Sequence, residues 1–211
     1  SWPTELNAAL GTRGLAAEVR ALIAKARSVG LDPEDLATLA GGAQRKVLLE
    51  EFTGHLCGNC PPTTVYISDT LKPRYGDSLV VITIHAKYFA EVCPTAAACP
   101  GTVPAGSFTK DFRCEVGEKC YEFYNTAAVN PICMVNRLGY PTSHLKSKSA
   151  LPGLINGQLS ANVARARIRI QNTFDESTRK LSSCIESKFL TYLTDTFNIQ
   201  VVLTEDSIID W

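Results

Sequence analysis

Cys57-Gly58-Asn59-Cys60 constrains this chain more than any other stretch. Ahead of it, Lys46-Val47-Leu48-Leu49-Glu50-Glu51-Phe52 reads as a buried strand closed by Thr53-Gly54. Behind it come Pro61-Pro62 and then Val65 to Leu71, which suits a helix ended by Pro73 and Gly76. Ser78 to His85 is a continuous aliphatic run bounded by turn residues, a second buried strand. Strand, CxxC, helix and strand make one βαβ unit, with parallel strands and a right-handed crossover. The expected class is therefore α/β.

The placement of the two cysteines carries chemistry. At i and i+3, where a strand passes into a helix, their sulfurs come within bonding reach. The positive end of the helix favours a thiolate, which makes Cys57 the attacking sulfur and Cys60 the resolving one. A bare CxxC is a weak signal, but in a strand–turn–helix setting it points to a thioredoxin fold. The alternative is a permanently oxidised pair that stiffens the turn. Exchange chemistry requires an exposed Cys57. A thioredoxin-like fold also places a proline opposite the CxxC, at the start of the strand after the second helix. Val116 to Tyr124 reads as that helix and Ile132 to Asn136 as that strand, so Pro131 is expected to be the cis-proline shaping the substrate groove. Tyr140-Pro141 is the competitor, with no convincing strand after it.

The chain holds 8 cysteines in 211 residues, an even count that points to an oxidising compartment. Beyond the CxxC, Cys93/Cys99 and Cys114/Cys120 have spacings that could close locally, leaving Cys133 and Cys184 as a tie between two strands. Other connectivities stay open. Lysine and arginine number 21, as do aspartate and glutamate, so no net positive charge drives nucleic-acid binding. The aliphatic run from Leu79 to Ile84 is far too short to span a bilayer.

Three parts are expected. Residues 1–44 are Ala-rich and lack cysteine. Leu15, Val19, Leu22, Ile23 and Ala26 form one helical stripe, Gly30 stops it, and Asp32-Pro33-Glu34-Asp35 opens a second short helix. Residues 45–157 are the thioredoxin-like domain; within it 90–113 form a long irregular segment, and 137–160 are polar and broken by Gly139, Pro141, Pro152, Gly153 and Gly157. Residues 158–211 form a β-rich portion. There Ala166, Ile168 and Ile170 alternate with Arg165, Arg167 and Arg169, placing one face toward a core, and Lys180 to Phe189 and Ile199 to Thr204 supply two further strands. The arginine row reads as the solvated face of an edge strand, with anion binding as its functional alternative.

Other chemistry finds little support. His55 and Cys57/Cys60 could be drawn as a metal site, but a closed zinc site needs four ligands and no second CxxC exists, so no metal is expected. His55 could instead tune Cys57, and His85 could approach the site from the side; both also suit structural roles, and His144 has no evident partner. No Ser-His-Asp order, phosphate loop, dinucleotide fingerprint or paired-carboxylate pattern stands out, and no cofactor is expected.

Several stretches resemble the outer-membrane-protein-28-related family of Bacteroidota. They are Lys46 to Gly54, Cys57-Gly58-Asn59-Cys60-Pro61, Tyr75-Gly76-Asp77, Val81 to Ala86, Val135-Asn136-Arg137 and Leu203 to Ile209, and the resemblance covers about residues 45–211. It implies an exported, envelope-associated protein, often a lipoprotein, with a thioredoxin-like core and an added β region, linked to surface display and adhesion. Members usually continue past the position of Trp211, so the chain is expected to be a piece of something longer. Two functions follow as expectations. One is an exported surface or binding component at the outer membrane or in the periplasm, peripheral rather than membrane-spanning, with a protein or envelope partner. The other is a thiol–disulfide oxidoreductase using Cys57, Cys60 and Pro131.

Overall fold

A computed structural model describes residues 24–25, 27–30, 46–93, 107–160, 165–190, 194 and 196–206. They fall into two compact units, Lys46–Asn162 with Asn198–Trp211, and Ser1–Arg45 with Val163–Phe197. The first contains β1 (Val47–Thr53), α1 (Pro61–Tyr66), α2 (Lys72–Tyr75), β2 (Leu79–His85), α3 (Glu115–Tyr124), β3 (Ile132–Val135) and α4 (Leu151–Ser160). The second contains β4 (Ala166–Asp175) and β5 (Lys180–Phe189). The class is α/β, as expected.

The three-stranded sheet runs β2-β1-β3. β1 and β2 are parallel, with Val47 opposite Leu79 and Thr53 opposite His85. β1 and β3 are antiparallel, from Leu49 opposite Val135 to Phe52 opposite Ile132. An isolated bridge from Cys133 to Lys146 extends the sheet beyond β3. Because strand side chains alternate between faces, two cores form. Val47, Leu49, Cys133 and Val135 pack on one face with Ile67 and Leu71 of the first helical segment and Leu151 and Ile155 of α4. On the other face Phe52, Ile84 and Met134 pack with Tyr121 of α3.

The helical segment after β1 is longer than the periodicity predicts. It runs from Pro61 to Tyr75 and widens into a π turn over Ile67–Leu71, where the Lys72 N–H reaches back to the Ile67 carbonyl. The wider turn makes room for Pro73, whose ring would otherwise crowd the carbonyl four residues earlier. Gly76, at φ 50°, ends the segment.

Several expectations are corrected. Residues 151–160 form α4 rather than a broken loop. Pro152 sits in its first turn, where no N–H is required, and burial of Leu151 and Ile155 offsets the helix-weakening Gly153 and Gly157. Ile199 to Thr204 forms no strand, since it joins no ladder. The two expected strands β4 and β5 form, and they pair antiparallel, from Ala166 opposite Phe189 to Asp175 opposite Lys180. The face carrying Ile168 and Ile170 does not, however, meet a core: those side chains are 61% and 58% exposed. In the N-terminal part, residues 24–25 and 27–28 are helical, and Gly30 at φ 80° turns the chain. The rest of the Leu15–Ala26 stripe and the helix after Asp32 lie outside the described residues.

Candidate functional site

The CxxC lies at the C-terminal end of β1, at the centre of the sheet. After Thr53 the chain tightens: the Cys57 N–H donates to the Gly54 carbonyl and the Cys60 N–H to the Cys57 carbonyl, both at 3.0 Å. Gly54 is required here, because a Cβ would stand 2.1 Å from the Phe89 carbonyl oxygen. That close approach lets the same carbonyl accept from the Leu56 N–H at 2.9 Å, tying the turn to the chain after β2. Cys57 and Cys60 form a disulfide, with Cα atoms 5.3 Å apart, and Cys60 is the N-cap of α1. Cys57 is only 3% exposed, so the surface position that exchange chemistry calls for is not observed; the neighbouring Gly58 and Asn59 are exposed.

Pro131 stands where the topology predicts. The Asn130-Pro131 bond is cis and leads into β3, one residue beyond the Phe52–Ile132 pair. The Asn130 side chain donates to the Thr53 carbonyl at 3.4 Å, which holds this loop against the end of β1. Tyr140-Pro141 is also cis, but it sits in turns well past β3. The structure thus gathers Cys57, Cys60 and Pro131 at one end of β1.

A residue that the motifs do not flag lies beneath them. Glu51 shares the inward face of β1 with Val47 and Leu49, under α1, and is fully buried. The Thr64 hydroxyl donates to Glu51 Oε1 at 2.9 Å and lies 3.5 Å from the Cys60 carbonyl, while Glu51 Oε2 has no hydrogen-bond partner. Desolvation raises the Glu51 carboxyl from 4.5 to about 7, against a smaller lowering by the Thr64 bond. Opposite Glu51 in the β1–β3 ladder is Cys133, a fully buried free thiol that burial, with the Glu51 charge, pushes up to about 12. The adjacent Glu50 faces the other core and is satisfied differently, by a bidentate pair with Arg137 at 2.9 and 2.7 Å.

The histidines gather around aromatic rings. His55 Nε2 lies 2.7 Å from the Glu91 carbonyl, and its ring packs 5.2 Å from Phe108 and 4.8 Å from Phe112. His85 meets the same Phe112 ring edge-on at 5.4 Å. His144 is buried away from the disulfide, with Nε2 2.7 Å from the Tyr124 carbonyl. Among the described residues no three His, Cys, Asp or Glu side chains cluster as metal ligands would.

The expected staples are corrected in part. Cys93 is disulfide-bonded, while Cys99 lies outside the described residues. Cys114 and Cys120 are free thiols. Cys114 is the N-cap of α3, its sulfur accepting from the Gly117 N–H, and Cys120 follows about 9 Å further along the axis, beyond disulfide reach. Cys133 and Cys184 are also free, one wholly buried and one exposed. The arginine row faces away from the apolar residues of β4, as strand alternation requires. Among the described residues no helix is long and apolar enough to cross a membrane.

No family model matches the chain. No curated protein matches it. Among solved structures, a crystal structure of an Agrobacterium tumefaciens protein is similar at 13% identity and a TM-score of 0.40, over 63% of this chain and 53% of that one. The chain spans about half the length of that protein.

Proposed function

We propose that the unit built on β1, β2 and β3 is thioredoxin-like and carries out thiol–disulfide exchange at Cys57 and Cys60. The observation that carries this reading is the buried Glu51 carboxyl beneath the disulfide, poised near pH 7 with one oxygen unpartnered. A disulfide that only stiffens a turn has no use for a buried proton-holding group, and such a group costs stability. Exchange does need one, because thiols lose and regain protons at each turnover. The parallel β1–β2 pair, antiparallel β3 and cis-Pro131 beside the CxxC support the same reading.

In the reducing direction, a thiolate on Cys57 attacks a substrate disulfide and one substrate sulfur leaves as a thiolate, which takes a proton from water. Cys60 then loses its proton and attacks Cys57, releasing the second substrate sulfur as a thiolate that is likewise protonated by water, and re-forming the Cys57–Cys60 bond. Two electrons pass to the substrate, and Glu51 accepts the Cys60 proton. Because Cys57 is 3% exposed, this reading requires the turn to yield at the exposed Gly58 and Asn59 for a substrate to reach its sulfur. Measured with a peptide disulfide as substrate, the reduced chain is expected to turn it over, and Cys57→Ser to abolish the reaction. Glu51→Gln is expected to slow it by about 10²-fold, the scale of a lost general base. Equal rates for Glu51→Gln and the unaltered chain would remove the basis of the proposal.

A second reading, an exported binding component peripheral to the outer membrane, is supported by the exposed apolar face of the β4–β5 hairpin. Ile168, Ile170, Phe174, Leu181 and Phe189 share that face, whereas Arg167, Arg169, Asp175, Lys180, Glu186 and Lys188 lie on the other. Capture of an envelope protein by the chain, lost in Ile170→Glu, is the expected result of a pull-down. Equal capture by the variant would count against this face as the binding surface.

A further inference from the structure

Asn125 ends α3 and is 2% exposed, and it gathers the loop that leads to Pro131. Its own N–H closes the helix on the Tyr121 carbonyl at 2.8 Å. Its side-chain amide donates to the Val129 carbonyl at 2.9 Å and to Asn130 Oδ1 at 3.3 Å, while its Oδ1 accepts from the Val129 N–H at 3.4 Å. Its carbonyl accepts from the Ala128 N–H at 2.9 Å, where the backbone is left-handed at φ 51°. Asn130, gripped in this way, passes the constraint on through its bond to Thr53, the last residue of β1 before the disulfide turn. One buried amide thus links the end of α3, the Val129–Pro131 loop and the strand that carries the CxxC.

Resting on the exchange reading, we infer that Asn125 is a positioning residue that sets the Val129–Pro131 wall of the substrate approach and so selects for peptide thiols and disulfides. Sulfur exchange needs the incoming sulfur nearly in line with the bond it breaks. A small dithiol can find that line unaided. A peptide sulfur carries its backbone with it and must fit the surface around the disulfide; Val129, next to the Asn130 that is tied to Thr53, is half-exposed. A shift of this wall by about 1 Å would cost a peptide substrate far more than a small one.

The test compares two reductants on the oxidised full chain, dithiothreitol and a synthetic apolar peptide bearing two thiols, following the opening of Cys57–Cys60 by quenched alkylation. In Asn125→Ala the peptide rate is expected to fall about tenfold or more while the dithiothreitol rate stays within about twofold. Asn130→Ala removes the tie to Thr53 and the bond from Asn125, leaves the Asn125–Val129 bonds in place, and is expected to change the ratio in the same direction. Should Asn125→Ala fail to fold, the Asn130→Ala ratio decides alone. A merely structural role lowers the melting temperature without changing the ratio of the two rates, and an unchanged ratio overturns the inference. An unaltered chain that reacts with neither reductant is a different failure, one that takes down the exchange reading and this role with it.

Discussion

β1 and β4 are both regular strands, yet they end in opposite environments. All but one residue of β1 is buried, including the carboxylates Glu50 and Glu51, whereas β4 is exposed from Ile168 to its end. The contrast does not lie in apolar content along one face, since Ile168 and Ile170 alternate as faithfully as Val47 and Leu49. It lies in what covers the strand. β1 is the central strand, flanked by β2 and β3 and covered on one face by α4 and the segment after Cys60, on the other by α3. β4 has one partner strand among the described residues. Alternation marks a face as fit for burial; topology decides whether the burial happens.

The largest expected effect that sharpens this comparison concerns the free thiols. Cys133 on β3 is buried and held up at about 12, while Cys184 on β5 is exposed. At pH 8 iodoacetamide should label Cys133 on the order of a thousandfold more slowly than an ordinary exposed thiol, from its thiolate fraction alone. Peptide mapping against time reads this, and similar rates for Cys133 and Cys184 would break the contrast.

Stability is the next scale. Phe52→Ala empties a fully buried position in the sheet unit and should cost about 3–5 kcal/mol in urea unfolding. Ile170→Ala on the hairpin should change stability by less than about 0.5 kcal/mol. A large loss at Ile170 would mean that the hairpin face is covered in solution.

Glu51 brings the same comparison to a single carboxyl. Its folded value, about 7, lies above the ordinary 4.5, so the folded state holds a proton that the unfolded chain has already released. Stability from this group is therefore complete below about pH 4.5, falls as pH rises through 7 and levels off above it, a loss of about 3 kcal/mol at most. Glu51→Gln should flatten that slope and leave the protein more stable at pH 8. By contrast Asp175, in the exposed hairpin turn, is held near 2 chiefly by the Ser177 and Thr178 hydrogen bonds, so it titrates below pH 4 and its replacement should leave the pH dependence of stability between pH 5 and 8 unchanged.

Much of the sheet unit is legible in the sequence, because its signals are local. The runs 46–52 and 78–85 are apolar enough to be central strands, and Asn130-Pro131 is recognisable by its place before a third strand. What escapes is decided by three-dimensional neighbours. The helix over Leu151–Ser160 hides behind glycines whose cost is met by burial of Leu151 and Ile155. The Cys114/Cys120 spacing looks like a closed loop until the residues between them coil into α3 and carry the sulfurs apart. Glu51 was within reach of the pattern, since a carboxylate in register with Val47 and Leu49 on a central strand must face the interior. Asn125 was not: nothing in one sequence marks which of several asparagines will close a loop.

Whether Cys57–Cys60 exchanges or only staples the turn is read most directly from the order in which the disulfides open. The most direct measurement adds a dithiol in small increments to the fully oxidised chain at pH 7, traps thiols by alkylation and maps the peptides. Cys57 and Cys60 are expected to become labelled first, at a potential within the range of known dithiol carriers, while Cys93 remains protected. If Cys57 and Cys60 stay closed after Cys93 has opened, or resist physiological dithiols altogether, the pair is a structural staple and does not exchange.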